Sequence, residues 1–228
     1  MTRTATRGLA LLGAGAVAAF LFVARAVAPT AASAVTLPDP VVDQPISASA
    51  GEQTIVFAGG CFWGVQAVFQ HVKGVVSATS GYAGGTVARP DYEQVSTGTT
   101  GHAESVRVVF DTSQVSLGQL LKVFFSVAHD PTELNRQGPD VGTQYRSAIF
   151  YTTPAQAKIV DAYIAQLKEA KVFKDPIVTE VKPLNGFYEA EAYHQNYYNL
   201  HPTQPYIVIN DRPKVEALKR DFASLWKS

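Results

Sequence analysis

Apolar and polar residues alternate through "ESVRVVFD", residues 104–111, a period of two that predicts a β-strand with one buried face. Short apolar runs at "TIVFA", "GVVSATSGYAG" and "SAIFYT" read as further strands, bounded by glycine, proline and polar clusters. Between them the period lengthens. A helix is expected from Cys61 to about Val72, and a second, capped by Ser116, over "LGQLLKVFFSVAH". The order β-α-β-β-α-β is that of a ferredoxin-like split βαβ unit, so the expected class is α+β, a two-layer core with a mixed sheet, additional C-terminal helices and long loops. Thr153-Pro154 opens a later helix with proline at its first position. Beyond it the pattern predicts a strand at "PIVTEVKP", an aromatic helical stretch "FYEAEAYHQNYY" and a final helix from about Arg212.

Two segments resist this periodicity. One runs from Ser80 to Glu104 and the other from His129 to Arg146, and loops of such length inside a compact domain are usually functional. At the other end of the chain, Arg3 and Arg7 precede an uncharged apolar run from Gly8 to Ala24. This predicts an export signal or N-terminal membrane anchor over residues 1–34, with Ala32-Ser33-Ala34 as a small-residue cleavage site. Arg25 directly after the run is unusual for a cleaved peptide, so cleavage and retention both stay open. Residues 35–52, rich in proline, serine and aspartate, read as a linker, and 53–228 as the folded domain.

Composition narrows the function classes. The 19 basic residues balance 19 acidic ones, so no nucleic-acid footprint is written into the charge. Neither a metal cluster nor a bound cofactor is expected, because no cysteine and histidine group has ligand spacing. The single cysteine excludes an intrachain disulfide.

That cysteine, Cys61, stands where "TIVFAGG" turns into the first helix. A free cysteine is most often a buried bystander. Here Gly59-Gly60 permits a sharp turn, and a helix start offers unpaired N–H donors to an anion. On that ground alone the thiol is expected to fall to about 7 to 8. Phe62 and Trp63 beside it form a local apolar wall.

These residues resemble a known family, peptide methionine sulfoxide reductase A. "GCFWG" matches its nucleophile motif, "GYAGG" and "PDY" its first loop, "GHAE" its acid motif, "DVGTQYRS" its second loop and "FYEAEAYHQNYY" its C-terminal segment. The resemblance runs from about residue 53 to 206. It implies that Cys61 attacks the sulfur of a methionine S-sulfoxide in a peptide or protein and is left as a sulfenic acid. It further implies Glu104 as the acid for the sulfoxide oxygen, Tyr92 and Tyr145 as hydrogen-bond donors to that oxygen, and Asp140 ordering the site through water. Phe62 and Trp63 would receive the substrate methyl. An external thiol donor, thioredoxin-like or glutaredoxin-like, would recycle the enzyme, expected to be a monomer in the periplasm or anchored facing it.

The chemistry asks for the same residue types. A sulfoxide oxygen leaves only once protonated, and an ordinary glutamate is already ionised at neutral pH. Burial and a neighbouring thiolate would raise Glu104 and couple its titration to that of Cys61. Plainer readings also fit: Glu104 as a solvated strand end, Asp140 as a turn residue, Tyr92 and Tyr145 as half-buried tyrosines, and His129 as a helix C-cap. A hydrolase or acyltransferase with Cys61 activated by His194 is the alternative from another reaction class. A non-catalytic binding module displaying Trp63 is a third.

Overall fold

In a computed structural model of the chain, the described residues are Met1, Thr2 and 37–228. The export segment expected over 1–34 lies outside them, apart from those first two residues. Among the described residues no helix is long and apolar enough to cross a membrane.

The chain runs β1 (Glu52–Gly59), α1 (Phe62–Gln70), β2 (Val75–Ala83), a short α2 (Tyr92–Ser96), β3 (Ala103–Asp111) and α3 (Leu117–Val123). A turn of π-helix, Phe124–Ala128, extends α3. Then come a two-residue hairpin, β4 (Arg136–Gln137) and β5 (Asp140–Val141), followed by β6 (Ser147–Tyr151) and α4 (Pro154–Glu169). The C-terminal part holds β7 (Glu180–Pro183), β8 (Phe187–Glu189), α5 (Tyr197–Leu200) and α6 (Arg212–Asp221).

The six-stranded sheet has the order β7-β6-β1-β3-β2-β8. Neighbours among its inner four strands are antiparallel, so that β1 and β2 run parallel with β3 between them as the split βαβ reading requires, while β7 joins β6 in parallel, making the sheet mixed. β1 lies inside this sheet and is buried on both faces, which is why its sequence reads as a continuous apolar run rather than an alternation. Phe57 stacks on Phe69 of α1 and on Phe124, with ring centroids 4.7 Å away in each case. Val56 and Ala58 face the other way, into a smaller cluster with Ala83, Ala103, Ala148 and Phe150. Burial of each large side chain contributes about 1.5–3 kcal/mol, so β1 and α1 are held at the strand end where Cys61 sits.

Three elements depart from expectation. The stretch "FYEAEAYHQNYY" is not one helix: Phe187–Glu189 pairs with β2, Ala192–His194 forms a 3-10 turn, and Asn196 takes a left-handed conformation, φ 60°, before α5. The Gln195 side chain accepts from the Ser80 N–H at 3.0 Å and donates to the Ser80 carbonyl at 2.9 Å, standing in for a strand partner. Gln66 of α1 donates to the same Gln195 at 2.9 Å, so tertiary hydrogen bonds displace the helix. Of "PIVTEVKP" only Glu180–Pro183 is strand, the Val178 N–H being taken by the Pro131 carbonyl at 2.9 Å. The Ser80–Glu104 segment contains α2, opened by a capping box between Asp91 and Gln94.

The residues read as linker from 37 onward pack on the domain. Leu37 is buried, Tyr163 donates to the Pro38 carbonyl at 2.9 Å, and Asp43 accepts the Gly118 N–H at 2.8 Å and the Ser116 hydroxyl at the start of α3.

Candidate active site

The turn before Cys61 is shaped by the second long loop. A Cβ on Gly59 would lie 2.9 Å from the His129 ring, and one on Gly60 would lie 2.5 Å from the Gln137 side chain. Gly60 also has φ +86°, where an L residue is strained. Gln137 is itself pinned, accepting from the Asp130 N–H at 2.9 Å and donating to its carbonyl at 3.0 Å. Gly60→Ala should therefore cost about 2 kcal/mol or more from backbone strain plus overlap. A urea midpoint within error of the wild type would contradict this account of the turn.

Cys61 is the N-cap of α1, with no side-chain cap hydrogen bond. Glu104, near the start of β3, the strand paired with the β1 that leads into Cys61, is 3 % exposed. Its carboxylate accepts the Phe62 backbone N–H at 3.0 Å, so the first free N–H of the helix serves the acid rather than the thiol. Seven residues singled out from the sequence come together around one cavity of about 270 Å³. Cys61, Phe62 and Trp63 come from α1 and its cap, Tyr92 from α2, Glu104 from β3, and Asp140 and Tyr145 from the second loop.

The electrostatics correct one expectation. The Cys61 thiol is pushed well above its ordinary value by burial, then by Glu104 and Asp211. The Trp63 N–H and Lys214 act the other way and do not prevail. The helix start alone was expected to lower it, but desolvation outweighs a helix terminus at so buried a thiol. Burial raises Glu104 to about 8, with Asp140 and Asp211 adding to it and the Phe62 N–H opposing. The resting site thus holds a thiol beside a neutral carboxylic acid at neutral pH, two groups that titrate together. Tyr92 and Tyr145 are raised by burial and by Glu104, so both phenols remain protonated and can donate hydrogen bonds.

Further residues belong to the site and were not singled out from the sequence. Gln204 and Tyr206 line the cavity. Tyr206 donates a hydrogen bond to Asp140, which fixes that carboxylate at the cavity edge. Glu191 accepts from Tyr82 and from the Tyr92 N–H, each at 2.8 Å, fixing the first turn of α2. Tyr206 sits in "PTQPYIVIN", where an aromatic among apolar residues reads as core.

His194 is packed against Tyr92 and Phe62, with ring centroids 4.4 and 5.0 Å away. Its Nδ1 accepts the Trp63 indole N–H at 3.2 Å, so a neutral ring carries its proton on Nε2, which is buried without a partner among the described residues. No hydrogen bond joins it to Cys61. Trp63 in turn stacks on Tyr197 at 3.8 Å. His129, expected near a helix end, is buried and held neutral, its pKa lowered to about 3 by desolvation. Its Nδ1 lies 3.2 Å from the Phe124 carbonyl and its Nε2 2.7 Å from the Ser147 hydroxyl, which makes it a brace behind the Gly59-Gly60 turn.

Residues 53–225 match the family model described as peptide methionine sulfoxide reductase. Peptide methionine sulfoxide reductase MsrA 2 of Mesorhizobium japonicum is 58% identical over 179 residues, covering 78% of this chain and 92% of the relative. The protein of the same name from Synechocystis sp. is 50% identical, covering 84% and 91%. Among solved structures, methionine sulfoxide reductase A of Corynebacterium diphtheriae is similar with a TM-score of 0.59 at 38% identity, covering 75% of this chain and 86% of that one. Mxr1 from Saccharomyces cerevisiae in reduced form is similar with a TM-score of 0.62 at 31% identity, covering 72% and 92%.

Proposed function

Since the chain belongs to the peptide methionine sulfoxide reductase family and so reduces methionine S-sulfoxide to methionine with electrons from a thiol, we propose that Cys61 is its nucleophile and Glu104 its proton donor. The observation that carries this assignment is the pairing of a buried thiol with a carboxyl group that stays protonated up to about pH 8 in the same cavity. Phe62 and Trp63 receive the substrate methyl, while the Tyr92 and Tyr145 hydroxyls donate to the sulfoxide oxygen. Glu104 gives its proton to that oxygen as the Cys61 sulfur bonds to the substrate sulfur, and the thiol proton returns to the carboxylate. Overall, oxygen passes to Cys61: a sulfoxide and a thiol become a sulfide and a sulfenic acid, two electrons moving to the substrate sulfur. Uncharged phenols suit this task because they stabilise developing charge without adding their own.

The hydrolase alternative is not favoured, since His194 faces Trp63 and not Cys61. Asp140 holds Tyr206 at the cavity edge, a positioning role.

The sequence contains one cysteine, so the sulfenic acid has no second thiol of this sequence with which to close a disulfide. Its reductant is an external thiol protein of thioredoxin-like or glutaredoxin-like type, and until that arrives the sulfur is exposed to over-oxidation. The test is one turnover without reductant on each sulfoxide epimer of a peptide. The expected result is about one methionine per chain from the S epimer, none from the R epimer, and a dimedone adduct on Cys61 by mass. Sustained turnover without thiol, or equal rates on both epimers, would sink the scheme.

Arg3, Arg7 and the apolar run after them support export, with the domain working as a monomer in the periplasm or anchored facing it. Its substrates there are methionine-oxidised proteins and peptides. Fractionation that recovers the full-length chain free in the cytosol would refute this location.

A further inference from the structure

Cys61 lines a second cavity, of about 100 Å³, on which Glu104 does not open. Gln137, Gly138 and Pro139 of the hairpin form one of its walls, and Asn210 and Lys214 of the C-terminal segment form another. The two cavities have Cys61, Asp140 and Tyr206 in common, and the Tyr206 to Asp140 hydrogen bond is their shared partition. Glu104, Tyr92 and Tyr145 belong to the first cavity alone; Lys214 belongs to the second alone.

Lys214 is placed with some care. Its ammonium lies 3.3 Å from the Asp211 carboxylate, which is fully buried, and the other oxygen of Asp211 has no partner among the described residues. The Lys214 charge draws the Cys61 thiol down, against burial, Glu104 and Asp211, which together outweigh it.

We propose that this second cavity is the approach path and binding site of the reducing thiol, separate from the site that takes the sulfoxide. The inference rests on the reductase reading above. Its chemical ground is that displacement at a sulfenic sulfur is in line, so the incoming sulfur and the departing oxygen lie on opposite sides of it. The oxygen is left in the first cavity, where the neutral Glu104 carboxyl protonates it. The attacking thiolate then comes from the second, whose wall carries the Lys214 ammonium. In this step a sulfur–sulfur bond forms, the sulfur–oxygen bond breaks, and the oxygen leaves as water with the Glu104 proton. The proton lost by the thiol restores Glu104 through solvent. A second thiol then cleaves the mixed disulfide and releases Cys61.

Asn210 tests this, because it borders the second of these two cavities and not the first, and among the described residues its side chain bonds only to the Tyr206 carbonyl, at 3.2 Å. Sulfenic acid is formed in one turnover, with methionine counted per chain, and dithiothreitol is then added while the free thiol is followed. Asn210→Phe, which fills the cavity, is expected to release methionine within about twofold of the wild-type rate yet regain its thiol at least about tenfold more slowly. Asn210→Asp is expected to slow the second step alone, with high salt relieving the effect because the repelled species is an anion. Methionine release serves as the folding control in both variants. Wild-type re-reduction in either variant, or an equal loss in both half-reactions, overturns the proposal. A wild-type protein that releases no methionine brings down the reductase reading itself, and that failure is seen before any thiol is added.

Discussion

Cys61→Ser is expected to release no methionine from a sulfoxide peptide, a loss on the order of 10³-fold or more, while the fold is retained or slightly strengthened. Cys61 is an N-cap whose side chain makes no cap hydrogen bond, and serine is among the residues favoured at that position. The substitution is nearly isosteric, at a side chain only 8 % exposed. It removes nothing from the core but the sulfur. A hydroxyl cannot reach a useful anion beside Glu104 in a dry cavity, and it lacks the sulfur that must accept oxygen. Thermal unfolding and single-turnover methionine release, measured on the same preparation, check both halves. Release at a near wild-type rate would remove Cys61 from the reaction.

Glu104→Gln is expected to lower the rate by about 10²-fold or more and to make the protein more resistant to alkaline unfolding. The amide keeps a hydrogen-bond donor but has no proton to give. Wild-type activity should fall as pH rises through about 8, where Glu104 ionises, and the residual activity of the variant should not follow that curve. Stability moves with the same proton. The unfolded carboxyl titrates near its ordinary value and the folded one at about 8, so the folded state holds the extra proton between them and stability declines as pH climbs through that window. Removing the buried acid removes the decline, and the variant gains on the order of a few kcal/mol over wild type above pH 8. Equal urea midpoints at pH 9 would show that Glu104 is not so deeply desolvated.

The Cys61 end of this site was legible because its residues are adjacent in sequence and set by short-range rules, whereas Tyr92, Asp140 and Tyr145 came only from the resemblance of their motifs. Gly59-Gly60 before Cys61 marks a turn into a helix, alternation marks β3 and hence the place of Glu104, and the strand order follows from the sequence of periods. Tyr206 and Gln204 were not legible, because they reach the cavity only through the packing of the π-helical turn Ile207–Asp211 that leads into α6. The aromatic segment around His194 misleads for a related reason: Gln195 satisfies the backbone of β2, and no local pattern announces a side chain acting as a strand. The helix α2 was within reach, since Asp91 and Gln94 spell a capping box. The ionisation of Cys61 was not, because a sequence shows that a helix begins there but not how little water the finished site admits.

The segment from Leu37 to Asp43 alters where this protein can be cut. The stretch that matches the family begins at residue 53, but Tyr163 and the start of α3 find their partners ahead of it, at Pro38 and Asp43. A fragment beginning at 53 would bare the seat of Leu37 and leave the Gly118 amide to water. A self-sufficient piece therefore has to reach back at least as far as Leu37, and residues 37–43 cannot be counted as part of a spacer joining it to a membrane or to a fused partner.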